Sequence, residues 1–147
     1  MKKLCLSILL VLLVQVPAFA DNIGSAVADF GFDYFHRTES EGNRAYSPLS
    51  IHAIISMLSL GSEGETKSSS LSALKLKEQD VSGYLSFVES LTPRDGSLNL
   101  ATRVWPTRRD PLSPKYVEAC RDAFGAHPQG LDFSHPEAAR DEINRWT

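Results

Sequence analysis

The sequence has little cysteine and no signal for N-linked glycosylation. Of its 147 residues only Cys5 and Cys120 are cysteines, and Cys5 lies in an apolar N-terminal stretch. Once that stretch is removed, no internal disulfide can form. The remaining cysteine is predicted to be a small buried hydrophobe and not a nucleophile. No Asn-x-Ser/Thr sequence occurs, so no N-glycosylation is predicted.

Long apolar runs are absent after residue 20. Met1-Lys2-Lys3 is basic, residues 4–16 are apolar, and Ala18-Phe19-Ala20 has the small-x-small pattern of a cleavage site. The apolar run is too short for a comfortable membrane span of about 20 residues. The order predicts a signal peptide over residues 1–20. We therefore expect a secreted protein, extracellular or periplasmic, with no membrane association after signal removal.

An excess of positive charge is also lacking. The chain has 15 Lys and Arg against 18 Asp and Glu. Removal of Lys2 and Lys3 with the signal leaves 13 basic against 18 acidic residues, a formal charge of −5. Such an acidic chain argues against a nucleic-acid partner.

Motifs of catalysis are missing as well. There is no Gly-x-Ser-x-Gly elbow, and the segment from Gly61 to Lys67 lacks the spacing of a phosphate loop. His127 and His135 are eight residues apart without a carboxylate at ligand spacing, which disfavours a metal site. We predict no enzyme activity, no metal and no cofactor. If the chain were an enzyme, its candidate bases would be His36, His52, His127 and His135. Its candidate nucleophiles would be Ser47 and Ser50.

Apolar residues repeat at helical spacing in several segments. In the clearest one Ser47 can cap the helix, Pro48 suits its first position, and Gly61 is a natural left-handed stop. Because this helix is apolar on nearly all sides, we expect protein around it. The rings of Phe30, Tyr34 and Phe35 in the first helix are interpreted as core. Further helices are predicted from Ile23 to near Arg37, after caps at Thr66 and Asp80, from Ser113-Pro114 to Gly125, and from Pro136.

One segment alternates with the period of a strand. Between Ser97 and Trp105, Leu98, Leu100 and Val104 share one face and the intervening residues the other. Pro106 should end this strand because it cannot donate to a ladder. A second, short extended segment is predicted from Gln129 to Phe133.

These segments resemble the N-terminal portion of a secreted, bacterial-type serpin. The resemblance covers essentially all of residues 21–147. Thr102 departs from the family's usual Asn, and Thr147 from its usual Val. The matching residues are Asn43, Tyr46-Ser47-Pro48-Leu49-Ser50-Ile51, Met57-Leu58-Ser59-Leu60-Gly61, Gly64-Glu65-Thr66, Leu98-Asn99-Leu100-Ala101, and Ala138, Arg140, Ile143, Asn144 and Trp146 in register.

The resemblance implies an α+β fold. Several helices would surround the central helix, together with strands of the family's large sheet, and the fold would be incomplete. Residues 1–20 would be the signal peptide and residues 21–147 the first part of a serpin domain, truncated in the helix that crosses the large sheet. Asn43, Ser47, Pro48 and Ser50 would belong to the family's shutter at the start of the central helix. Arg140, Ile143, Asn144 and Trp146 would mark the helix across the sheet.

The resemblance also implies a serine protease as partner and a suicide-substrate mechanism for a complete family member. In that mechanism a cleaved reactive-centre loop inserts into the large sheet. No residue of this sequence matches that loop. We therefore predict that the chain is not inhibitory by itself and self-associates or is poorly stable. The alternative is a secreted interaction or structural fragment, or a pseudogene-like remnant, without inhibitory activity.

Overall fold

The computed structural model describes residues 18–38 and 42–147. The predicted signal peptide lies outside them except for its last residues, Ala18–Ala20, which begin the first helix. No described helix is long and apolar enough to cross a membrane. The helices are α1 (Ala18–Arg37), α2 (Pro48–Ser59), α3 (Gly64–Ala73), a 3₁₀ turn (Glu78–Gly83), α4 (Tyr84–Leu91), α5 (Pro114–Phe124) and α6 (Pro136–Trp146).

Helix α1 ends at Arg37, as the sequence predicted, and buries one apolar stripe. Ile23, Ala26 and Phe30 are buried against α2, the 3₁₀ turn and α4. The prediction for Phe35 is wrong, because its ring is 51% exposed. The guanidinium of Arg44 lies 5.4 Å from the centre of that ring and replaces part of the missing packing.

Helix α2 begins where the sequence predicted, but its buried face is rotated. His52, Ser56 and Ser59 are buried, whereas Ile54 and Leu58 are 53% and 59% exposed. The prediction of protein on nearly all sides is therefore not met among the described residues. The buried serines and histidine satisfy their polar atoms with hydrogen bonds, which makes a polar face compatible with burial.

The stop of α2 also differs from the prediction. The helix ends at Ser59, its C-cap residue Leu60 has right-handed backbone, and Gly61 has no left-handed φ. A Cβ on Gly61 would approach Cε2 of the Tyr116 ring to 3.0 Å. Glycine is needed here for close approach of α5 and not for a turn.

Two predicted caps lie elsewhere in the structure. Glu63, not Thr66, precedes α3. Asp80 lies within the 3₁₀ turn, where its carboxylate accepts the backbone N–H of Lys77 at 3.1 Å. It therefore caps the 3₁₀ turn that precedes α4, because its carboxylate satisfies the backbone N–H of the residue before the turn.

No regular strand forms between Ser97 and Trp105 in the described part of the chain. A strand needs a neighbouring strand, and pairing begins only at the end of this segment. There Gln129 N–H donates to Val104 at 3.1 Å and Leu131 N–H donates to Pro106 at 2.9 Å. The result is a single parallel bridge between Thr107 and Leu131. The expected sheet is reduced to this bridge, which joins Leu131 of the second predicted segment to Thr107. Thr107 lies beyond Pro106, the residue at which the first segment was predicted to end.

The C-terminal helices begin as predicted. The Ser113 hydroxyl caps α5, and Gly125 closes that helix at φ 62°. Cys120 is fully buried beside Met57 and Ala126, which confirms its interpretation as a small core residue. Helix α6 starts at Pro136 and buries only Ala139.

Candidate functional site

The entry to α2 is built from a cap and a close contact with α1. The backbone of Ser47 is extended, and its hydroxyl oxygen accepts the Ser50 N–H at 3.2 Å. Pro48 lies against Gly31 of α1, where an added Cβ would meet the proline ring at 2.9 Å. Tyr46 donates its hydroxyl to the Gly31 carbonyl at 2.9 Å. The chain is thereby fixed to α1 just before α2 begins.

The serines of this entry are placed for capping and not for nucleophilic attack. The Ser50 hydroxyl donates to the Ser47 oxygen at 3.0 Å. Within the described residues these two serines hydrogen-bond to each other, and neither bonds to a histidine or carboxylate. An activated serine needs an adjacent base. Asn43, the fourth predicted residue of the set, is exposed.

His52 occupies the centre of the helix cluster, and both of its ring nitrogens have partners. Nε2 lies 3.0 Å from the carbonyl oxygen of Leu74, and Nδ1 lies 2.8 Å from the hydroxyl of Tyr84. The Ser56 hydroxyl lies 3.4 Å from the same Nδ1. The His52 ring is fully buried, and the Phe30 ring packs edge-on against it with centroids 5.5 Å apart. A substrate cannot reach this ring, so His52 is not a general base.

Electrostatics support a neutral pair at this position. Burial lowers the pKa of His52, although the hydrogen bond to Leu74 opposes the shift. Burial also raises the pKa of Tyr84. Both groups are therefore uncharged at neutral pH.

A serine, a histidine and an aspartate do meet at the N-terminus of α6. His135 Nδ1 lies 3.1 Å from Asp132 Oδ2 and 3.2 Å from the Ser134 hydroxyl. In a catalytic triad the serine and the carboxylate use different ring nitrogens. Here both use Nδ1, and the Ser134 hydroxyl also contacts the aspartate. The cluster is a local turn that precedes Pro136.

Hydrogen bonds account for the charge state of this turn. The hydroxyl and backbone N–H of Ser134, together with His135, lower the pKa of Asp132 to about 2. The spacing Asp-x-Ser-His before a proline could have revealed the turn in the sequence, since Asp side chains commonly bond the backbone two residues ahead.

The residues predicted along α6 do not form one site. Arg140 pairs with Glu137 at 2.8 Å and with Asp141 at 2.9 Å on the exposed surface. Ile143 is half-buried and Asn144 is exposed. Trp146 packs against Trp105, which lies in another segment of the chain.

Trp146 belongs to a cluster that the sequence did not predict. The guanidinium of Arg103 lies 5.1 Å from the Trp105 ring centre and 4.9 Å from that of Trp146. The two indole rings meet edge-on at 6.0 Å. Arg103 also donates to Gln129 at 3.1 Å, and Gln129 donates to Glu142 of α6. This cluster attaches α6 to the segment before the bridge.

The remaining candidate side chains form no further site. His36 and His127 are exposed. Burial raises the pKa of the Cys120 thiol, which disfavours the reactive thiolate. The residues that the structure describes contain no cluster of three or more metal-ligating side chains.

Comparison with known proteins identifies the fold. The family "Serpin (serine protease inhibitor)" matches residues 25–147. A leukocyte elastase inhibitor of Xenopus laevis is 30% identical over 135 residues, which cover 86% of this chain and 36% of the inhibitor. Human pigment epithelium-derived factor is 28% identical over 139 residues, 90% of this chain and 32% of that protein.

Solved structures show the same architecture. Emu (Dromaius novaehollandiae) ovalbumin superimposes with a TM-score of 0.72 at 28% identity, over 85% of this chain and 38% of that chain. Lamprey angiotensinogen with a cleaved reaction loop superimposes with a TM-score of 0.73 at 20% identity, over 88% of this chain and 40% of that one. The chain thus spans about a third of the length of the curated relatives it matches. Because the family match extends over most of its residues, the chain belongs to the serpin family.

Proposed function

We propose that this chain is the N-terminal part of a secreted serine protease inhibitor, and that it does not inhibit a protease by itself. The observation that carries the proposal is the serpin match over residues 25–147, together with coverage of only 36% of the leukocyte elastase inhibitor. Inhibition in the family requires a cleavable loop and a sheet that accepts it as a strand. In the described residues pairing is limited to the Thr107–Leu131 bridge. Incubation with a serine protease tests the claim, and we expect digestion without a covalent adduct.

The α2 entry contributes to this function structurally. Ser47 and Pro48 fix the start of α2 against Gly31. In a longer protein that sets the position of the helix beneath the sheet. The partner of that longer protein would be a serine protease outside the cytoplasm.

Exposed apolar side chains support the incompleteness of the fold. Ile54 and Leu58 on α2 are 53% and 59% exposed. Leu98 and Leu100 are 42% and 40% exposed on a segment that pairs with no strand among the described residues. Apolar patches of this kind usually mark surfaces that another part of a protein covers. We therefore expect the chain to self-associate in solution.

Sedimentation velocity across a concentration series tests this expectation. The double variant Ile54→Ser, Leu58→Ser should associate less than the unmodified chain. Leu91→Ser is the matched control, because Leu91 is 42% exposed on α4, a different helix. A monodisperse unmodified chain with a sharp cooperative melt would contradict the proposal. So would an equal loss of association in both variants.

A secreted interaction fragment is the second candidate function. A groove of about 400 Å³ lies between α1 and the segment before α2, and its lining is almost entirely apolar. Phe32 and Phe35, which line it, are 68% and 51% exposed. The gene separates the candidates. An open reading frame that continues past Thr147 into a reactive-centre loop supports the inhibitor, whereas a stop codon there supports the fragment.

Export is part of both proposals and has its own test. The basic start, the apolar run and Ala18-Phe19-Ala20 favour cleavage after Ala20. Mass spectrometry of the exported product should find Asp21 at the N-terminus. A cytoplasmic product that retains Met1 would contradict export.

A further inference from the structure

His52 joins helices that are distant in the sequence. His52 lies on α2. It contacts the carbonyl oxygen of Leu74, which is the C-cap residue of α3, and the hydroxyl of Tyr84, which is the first residue of α4. Phe30 of α1 packs against the same ring. Both ends of the segment 74–84 are therefore hydrogen-bonded to the same imidazole ring.

The hydrogen bonds define the tautomer of this ring. A carbonyl oxygen only accepts, so the proton must reside on Nε2, which faces Leu74. Nδ1 of the neutral ring is then an acceptor, and the Tyr84 hydroxyl donates to it. Protonation would place a second N–H at Nδ1, directed at a hydroxyl that already presents its own proton. The Tyr84 hydroxyl would have to rotate away to accept this bond.

In the part of the chain that the structure describes, the surroundings of His52 offer no charge that would stabilise a protonated ring. Tyr84 is the titratable side chain that contacts it from α4. Asp80 of the 3₁₀ turn is directed to the Lys77 N–H, and Asp33 of α1 pairs with Lys75 at the surface. Among the described residues no charged group contributes to the lowered pKa of His52, which has burial as its largest cause.

We propose that the hydrogen bonds of His52 to Leu74 and Tyr84 are acid-sensitive, and that protonation of His52 releases the 74–84 segment from α2. The proposal does not depend on the proposed function. A histidine whose pKa is lowered on folding stabilises the fold fully above its unfolded pKa, about 6.5. That stability is lost as the pH falls below this value, because the opened state binds the proton more tightly. Opening should therefore increase by up to about tenfold for each pH unit below 6.5, as expected for one proton.

Hydrogen-exchange mass spectrometry of the full chain between pH 8 and pH 5 tests the proposal, after correction for the intrinsic exchange rate. Peptides from 74–84 should lose protection in this range, and those from α6 should not. His52→Gln should abolish the pH dependence, because glutamine retains a donor for Leu74 but does not titrate. His127→Gln is the control, since His127 is exposed, and it should leave the dependence unchanged. Dependence that persists in His52→Gln, or that disappears in His127→Gln, would overturn the proposal.

A second variant keeps the test valid if His52→Gln does not fold. Tyr84→Phe removes the donor to Nδ1 and leaves the ring of residue 84 in place. The neutral form of His52 then loses a hydrogen bond, so its protonation should occur at higher pH. The folded-state pKa of His52 then lies closer to its unfolded value, so the loss of protection in 74–84 between pH 8 and pH 5 should become smaller in this variant. A pH dependence that is unchanged or larger than in the unmodified chain would contradict the proposal.

Discussion

Replacement of Ser47 by alanine tests whether the α2 entry acts through capping. The change removes the oxygen that accepts the Ser50 N–H at 3.2 Å and the Ser50 hydroxyl at 3.0 Å. Loss of an N-cap serine costs about 0.5–2 kcal/mol. Ser47 and Ser50 are both exposed, so water can replace the lost acceptor. We therefore expect the lower half of that range, about 0.5–1 kcal/mol.

The assay is a thermal melt at fixed protein concentration. For a chain of this size about 1 kcal/mol corresponds to a change in Tm of roughly 2–4 °C. Ser47→Asp should restore most of the loss, because aspartate is also a good N-cap acceptor. Ser113→Ala is the matched control, since its hydroxyl caps α5 at the same distance of 3.2 Å. It should lower Tm by a similar amount.

Two results would refute the reasoning about Ser47. Ser47→Asp would be as unstable as Ser47→Ala if the hydroxyl acted in some way other than as an acceptor. A serine-directed fluorophosphonate would label Ser47 or Ser50 stoichiometrically if either were an activated nucleophile. The described residues place no base beside these serines, so we expect labelling of neither.

Two further predictions concern the contacts that the sequence did not reveal. Gly61→Ala should lower Tm because its Cβ would meet the Tyr116 ring at 3.0 Å. Adding Tyr116→Leu to the same chain should remove part of that decrease in Tm. If Gly61→Ala lowers Tm equally with and without the Tyr116 ring, the contact is not the cause. Arg103→Gln and Trp146→Leu, combined in a double-mutant cycle of thermal melts, should show a coupling of at least about 0.5–1 kcal/mol, because both side chains of this cation–π pair are half-buried. Additive effects would mean that the pair does not hold α6.

Some local signals were readable from the sequence, although the predicted stop at Gly61 and the predicted caps at Thr66 and Asp80 differ from the structure. Long-range contacts were not readable. Ser47-Pro48 and Gly125 specify a helix start and a helix end through neighbouring backbone, so the sequence predicted both correctly. The buried face of α2 depends on what packs against it. Apolarity favoured Ile54 and Leu58, whereas the structure buries His52 because Tyr84 and Leu74 satisfy its nitrogens.

The same distinction explains the sheet and the site. Apolar and polar residues alternate between Ser97 and Trp105 with the period of a strand. A strand also needs a neighbouring strand to hydrogen-bond with, and the alternation does not show whether one is present. The Arg103 cluster joins residues from three parts of the chain, 103–105, 129 and 142–146. No spacing in the sequence predicts such a meeting. Family-like residues on α6 were found by register, yet only Trp146 of the predicted four takes part in the cluster.

The most direct test of the central claim is a search for covalent complexes with proteases. The chain would be incubated with trypsin-like, chymotrypsin-like and elastase-like enzymes over a time course and analysed on denaturing gels. The leukocyte elastase inhibitor of Xenopus laevis, with an elastase, would be the reference for a family member of full length. We predict that the 147-residue chain is digested to small peptides and forms no adduct with any enzyme of the panel. An SDS-stable band at the summed mass of chain and protease would contradict the account, because we propose that this chain carries only the N-terminal part of the inhibitor fold.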